Sequence, residues 1–143
     1  MTGTYKFIDH TADVAFDVEA ETIEELFTAS SKAWKETVLE KEPRLQASEQ
    51  KSLALKSASL EQLLVDFLSE LNYLMISKKW MFLSVEKLKI KSEDGTWNLS
   101  AKVKGSKLSD DLKIIKEIKA VTYHQMEILH KNNKYKTRVV FDI

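Results

Sequence analysis

Seven large apolar residues, Leu60, Leu63, Leu64, Phe67, Leu68, Leu71 and Leu74, recur at three- and four-residue steps through SLEQLLVDFLSELNYLM. Only a helix gathers such positions onto one stripe. A stripe this wide cannot stay in water, so the chain needs a second layer to lie against it. The ordinary use of such a stripe is a core face; a groove for a partner's helix is the alternative.

The remaining periodicities describe that second layer. Ile23, Leu26, Phe27, Ala33, Trp34 and Val38 form another helical stripe in TIEELFTASSKAWKETVLE. Thr22 and Glu25 make a capping box at its start, and Pro43 in KEPR blocks its continuation. Elsewhere the period is two. Val14, Phe16 and Val18 alternate with Asp13, Ala15, Asp17 and Glu19, and Leu53 and Leu55 mark a strand around 45–57. Leu83 and Val85 share one phase and Leu88 and Ile90 the other, which predicts a bulge near Glu86. Asp94-Gly95 is a hairpin turn leading into Trp97, Leu99, Ala101 and Val103. GSKLSDDLK reads as a loop, and IKAVTYHQMEIL and YKTRVVFDI read as two strands about Asn132-Asn133. The expected order is β-α-β-α-β-β-β-β. That is an α+β fold, two helices packed on a mostly antiparallel β-sheet, with residues 1–143 as a single domain.

Composition narrows the function. The chain is 43% hydrophobic and 31% charged, as in a soluble globular protein. With no cysteine there are no disulfides, zinc–thiolate sites or thiol nucleophiles. Neither a secretory leader nor a run long enough to span a bilayer is evident, so the expected location is cytoplasmic. Three glycines supply no phosphate-cradling loop, so no nucleotide motif is present. The 22 basic and 22 acidic residues cancel, which argues against a dedicated nucleic-acid binder. The charges are unevenly spread, however. Asp9, Asp13, Asp17, Glu19, Glu21, Glu24 and Glu25 crowd the start, and Lys131, Lys134, Lys136 and Arg138 the end. The two segments either face each other or face different partners.

The string DHTADV, residues 9–14, places two carboxylates and an imidazole just before a strand. The histidines are His10, His124 and His130, and no serine sits in a nucleophile elbow, so a catalytic triad has no local signature. Neither H-E-x-x-H nor an EF-hand loop occurs. A metal site would therefore have to be assembled from distant segments. The chain closes on VVFDI, which brings Asp142 and the α-carboxylate of Ile143 to the end of an ordered strand. Hard divalent cations favour such oxygen donors. A charged strand end, with no ion, fits the same residues. Trp34, Trp80 and Trp97 are read as core aromatics, since basic residues are not interleaved with them.

DHTADV, TIEELF, IKAVTYH and VVFDI occur in that order across nearly the whole chain, and together they resemble the archease family, protein cofactors of RtcB-type RNA ligases. The resemblance implies a non-enzymatic partner that promotes guanylylation and multiple turnover of the ligase in tRNA splicing or RNA repair. RNA would be reached only indirectly or weakly, and no membrane is involved. It also implies a divalent metal ion, Ca2+ by preference over Mg2+ or Mn2+, held by Asp13, Asp142 and Ile143. Asp9 and His10 would shape the turn, and Lys119 would share the surface. Val139, Phe141 and Ile143 lie on one face of the last strand, so the Ile143 side chain can anchor in the core while its carboxylate turns to the ion. The chain departs from the family pattern at Ala20, where glycine is usual, at Ser106, where glutamate is expected, and at Leu112, where histidine is frequent. Two other readings remain: a metal-dependent phosphoester hydrolase with His10 as base, and a chaperone or interaction module.

Overall fold

The computed structural model describes residues 3–8, 13–39, 46–110, 112–123 and 126–143. Its elements run β1 (Thr4–Ile8), β2 (Asp13–Ala20), α1 (Ile23–Val38), β3 (Glu49–Ser57), α2 (Leu60–Ser77), β4 (Trp80–Glu93), β5 (Thr96–Lys107), β6 (Ala120–Thr122), β7 (Leu129–Lys131) and β8 (Lys134–Asp142). All strand pairs are antiparallel, and they divide into two sheets. One has the order β1-β2-β8-β6, with β7 also paired to β8; the other has the order β3-β5-β4. The α+β class therefore holds, with two sheets in place of one.

Local chemistry explains the helices. The Thr22 hydroxyl accepts a hydrogen bond from the Glu25 N–H at 3.1 Å, and Ser59 does the same for Gln62 at 3.1 Å. Each cap satisfies one otherwise orphaned donor. Pro43 lies outside the described residues; within them α1 ends at Val38, where the Leu39 N–H bonds the Lys35 carbonyl. The leucine stripe of α2 is core as expected: Leu63, Leu64, Phe67, Leu68 and Leu71 are fully buried. Both helices touch both sheets, α1 against β1, β2, β8 and β4, and α2 against β3, β4, β5 and β6. Trp34 and Phe82 meet edge to face in this core, and Phe16 and Phe141 pack with ring centroids 5.4 Å apart. Burying one such aromatic contributes about 1.5–3 kcal/mol. Trp80 is buried as well, so Trp34 and Trp80 are core as expected, while Trp97 is half-buried against its edge.

The turns follow their residues. Asp94 and Gly95 take φ of 53° and 75°, and Asn132 and Asn133 take 52° and 60°. These are the left-handed pairs that match the twist of a two-residue hairpin. The bulge expected near Glu86 is present, and a second one lies at Leu83, whose carbonyl accepts from the Lys35 ammonium at 2.9 Å.

Four expectations are corrected. Gly105, Ser106 and Lys107, expected to open a loop, extend β5 and pair with β4. A strand precedes Val14: Tyr5 and Phe7 of β1 pack on Phe16. The strand around 45–57 is confined to Glu49–Ser57 among the described residues. The segment 118–129 is not one strand. Its ends pair with opposite ends of β8, Ala120 with Asp142 and Leu129 with Lys136. Between them the described residues, Tyr123 and 126–128, lie outside the sheet. There the Ile128 N–H donates to the Glu61 carboxylate at 2.9 Å, and the Thr137 hydroxyl donates to the Glu127 carbonyl at 3.0 Å.

Candidate metal site at the open end of the first sheet

The pairing of β2 with β8 decides which charges meet. Phe16 and Val18 point inward from β2, as Val139 and Phe141 do from β8. A slip of one residue would turn these side chains out to water, so burial pins the register. The residues of the opposite face are then matched pair by pair: Glu19 opposite Lys136, Asp17 opposite Arg138, the buried Ala15 opposite Val140, and Asp13 opposite Asp142.

Two of these rungs join opposite charges. Arg138 grips Asp17 with both arms, Nε to Oδ1 at 2.7 Å and Nη2 to Oδ2 at 3.1 Å. That hydrogen bonding holds the Asp17 carboxyl below its usual range, against a smaller opposing effect of burial, and raises the Arg138 pKa. Glu19 lies 3.4 Å from the Lys136 ammonium and 3.8 Å from that of Lys134. The acidic start and basic end of the chain thus face each other across two strands.

The last rung breaks the rule. Asp13 and Asp142 stand directly opposite each other on the same face. Like charges so placed weaken a strand pair. Two carboxylates on neighbouring strands are also what a hard divalent cation binds, through several oxygens at once. On the far side of Asp142 the pairing residue is Ala120, whose small side chain leaves the carboxylate open to solvent. Asp13 in turn lines a hollow of about 400 Å³ with Phe7, Ile8, Glu36, Thr37, Ile115 and Lys116.

The other expected residues group around this pair in different degrees. Ile143 is half-buried, its side chain packed against the core. Lys119 is exposed, and its N–H donates to the Asp142 carbonyl at 2.8 Å, so it adjoins the same strand end. Asp9 and His10 lie outside the described residues. Among the described residues no cluster of three or more Asp, Glu, His or Cys side chains capable of holding an ion occurs. The side-chain donors in place are therefore the two aspartates. Their chemistry, hard oxygen throughout, fits a calcium-like ion.

Asn72 was not anticipated. From α2 it donates to the Ile118 carbonyl at 2.9 Å and accepts from the Trp34 indole at 3.4 Å. It fastens the segment that delivers Lys119 to Asp142. A single asparagine within the leucine-rich run was its one trace in the sequence. The departures from the family pattern have plain structural places. Ala20 is buried, and a side chain at Gly3 would lie 2.8 Å from its methyl, so the extra carbon at 20 is accommodated by glycine at 3. Ser106 is buried in β5, and Leu112 packs against the core.

The comparisons with known proteins concern the chain as a whole. The model of the archease protein family matches residues 5–143. This chain belongs to the archease family. Protein archease of Methanosarcina barkeri is 37% identical over 142 residues, covering 97% of this chain and 95% of that protein. Protein archease of Methanothermobacter thermautotrophicus is 31% identical over 139 residues. The solution structure of protein 1598 from Methanobacterium thermoautotrophicum superposes with a TM-score of 0.82 at 29% identity, covering 97% of this chain and 98% of that one. A crystal structure of an archease from Thermotoga maritima, described as a possible chaperone, gives a TM-score of 0.56 at 30% identity with 96% of each chain covered. Among the described residues no helix is long and apolar enough to cross a membrane.

Proposed function

We propose that the protein is a cofactor of an RtcB-type RNA ligase, raising the ligase's guanylylation and thereby its multiple turnover in tRNA splicing or RNA repair. In this reading a divalent cation, calcium-like in its preference for oxygen, is held by Asp13, Asp142 and the carboxylate of Ile143. Lys119 presents its ammonium beside that ion on the surface that meets the ligase. The observation that carries the reading is the register of β2 on β8, which opposes two carboxylates where the neighbouring charged rungs oppose acid and base. The ligase as partner is what the resemblance to the archease family implies, and membership of that family favours it. The oxygen donors suit an ion that organises a surface; His10, the base of the hydrolase reading, lies outside the described residues.

The test is a ligation assay with the ligase of the same organism, GTP and RNA in large excess over enzyme. The protein is expected to raise both guanylylated ligase and the number of turnovers, and Asp13→Asn or Asp142→Asn to remove most of that gain. A folded protein that leaves both quantities unchanged removes the ligase reading. Protection of many unrelated clients from aggregation, without an effect on the ligase, would favour a chaperone.

A further inference from the structure

The outer face of the β3-β5-β4 sheet plays no part in the reading above. Its inner face carries the core residues Leu53, Leu99, Ala101 and Val103, packed against the helices. The bulge at Glu86 resets the phase of β4, so that Leu88 and Ile90 turn inward and Lys87, Lys89 and Lys91 turn outward. From β5 and β3 the same outer face receives Lys102, Lys104 and Lys56.

These lysines are not neutralised as those of the other sheet are. Lys87 stands directly opposite Lys102. Lys91 and Lys56 flank Asn98 from the two sides. Lys104 lies 3.9 Å from Glu86. Among the described residues Lys56, Lys87, Lys89, Lys91 and Lys102 have no ion-pair partner. All are exposed, and the positions between them are filled by the short side chains of Ser52, Ala54, Asn98 and Ser100. The face is basic, and like charges opposed across strands lower the stability of the sheet. A net charge of zero for the whole chain conceals it.

We propose that this face binds the phosphodiester backbone of single-stranded RNA. Successive lysines on β4 project about 6.6–6.8 Å apart, a spacing comparable to the phosphate repeat of an extended strand. The face presents no aromatic ring and no arginine, the residues that anchor protein–protein interfaces, whereas lysine is depleted in those interfaces. With no ring to stack on a base, recognition is electrostatic and independent of sequence. The choice of RNA over DNA rests on the ligase reading; the backbone chemistry does not. The protein would hold a substrate strand on one sheet while the end of the other sheet meets the ligase.

The test uses the full chain alone, without ligase, and labelled single-stranded RNAs of two unrelated sequences, read by fluorescence anisotropy across a salt series. Five lysine contacts give a log–log salt slope of about −3.5 for single strands, which is about a hundredfold loss of affinity between 50 and 200 mM salt. The variant Lys87→Gln/Lys89→Gln/Lys102→Gln is expected to lower affinity at least about tenfold at low salt and to flatten the slope to about −1.5. Both RNAs should respond alike, and a thermal melt should show the variant as stable as the parent or slightly more so. A variant that binds RNA with the parent's affinity and slope overturns the proposal. So does a parent that ignores RNA but binds polyglutamate through the same lysines, since the face would then dock an acidic protein. Loss of ligase activation alongside retained RNA binding would remove the ligase reading and leave this face standing.

Discussion

Removing one charge from the Asp13–Asp142 pair should stabilise the metal-free protein and disable its response to the ion. Directly opposed residues of an antiparallel pair hold their Cβ atoms about 4.5–5.5 Å apart. Two unit charges at about 4 Å repel by about 1 kcal/mol in water, and somewhat less at this separation. Asp142 is exposed, so the aqueous value applies, and Asp142→Asn should relieve about 0.5–1 kcal/mol. For a chain of this size that raises Tm by about 2–4 °C. The gain should vanish in about 1 M salt, where the screening length is only about 3 Å. If the proposed site holds a divalent cation, the ion should reverse the order. At about a hundredfold excess over Kd it stabilises the native parent by about 2.7 kcal/mol, or about 8–12 °C, while the variant moves far less. The assay is a calorimetric melt of parent and variant in chelator, then in excess cation, at low and high salt. If Asp142→Asn melts below the parent in chelator, or climbs as far as the parent with the ion, the two carboxylates do not share a site.

Three further outcomes follow from particular contacts. A methyl at residue 105 would lie 2.2 Å from the Met81 carbonyl oxygen and 2.6 Å from the Trp80 ring. Gly105→Ala should therefore cost about 2–3 kcal/mol and lower Tm by about 6–12 °C in a thermal melt; a change under about 2 °C would refute the crowding. The Asp17 carboxyl, lowered chiefly by its hydrogen bond with Arg138, stabilises the fold above its unfolded pKa of about 3.9, and that contribution is lost as pH falls through its lower folded value. The Tm advantage of the parent over Asp17→Asn should thus be present at pH 7 and fade below about pH 4. Asn72→Ala leaves the Trp34 indole and the Ile118 carbonyl without their partner, so it should cost about 1–3 kcal/mol in urea unfolding and weaken ligase activation while Asp13 and Asp142 stay intact.

What the sequence made legible is what neighbouring residues decide among themselves. The caps at Thr22, the left-handed pairs Asp94-Gly95 and Asn132-Asn133, and the stripe of α2 each depend on a few adjacent side chains. The strand β1 escaped because its five residues acquire their role only by packing Tyr5 and Phe7 on Phe16. The division of 118–129 escaped for a similar reason: β6 and β7 are short because β8, not their own pattern, sets where each can pair. At the candidate site the alternation showed that Asp13 and Asp142 would each point away from the core. That they stand side by side is a fact of register, which two strands lying over a hundred residues apart in sequence cannot display locally. The lysine face was hidden twice, by a net charge of zero and by the bulge that sets its phase.

If the opposed carboxylates carry the effect on the ligase, one measurement shows it directly. Guanylylation and turnover of the RtcB-type ligase of the same organism are followed with excess RNA, with the parent or Asp142→Asn, in chelator and in added calcium. We expect the parent to drive many turnovers only when the ion is present, and the variant, folded and at least as stable in chelator, to leave the ligase near its unassisted level in both conditions. An Asp142→Asn protein that activates the ligase as fully as the parent would contradict the claim.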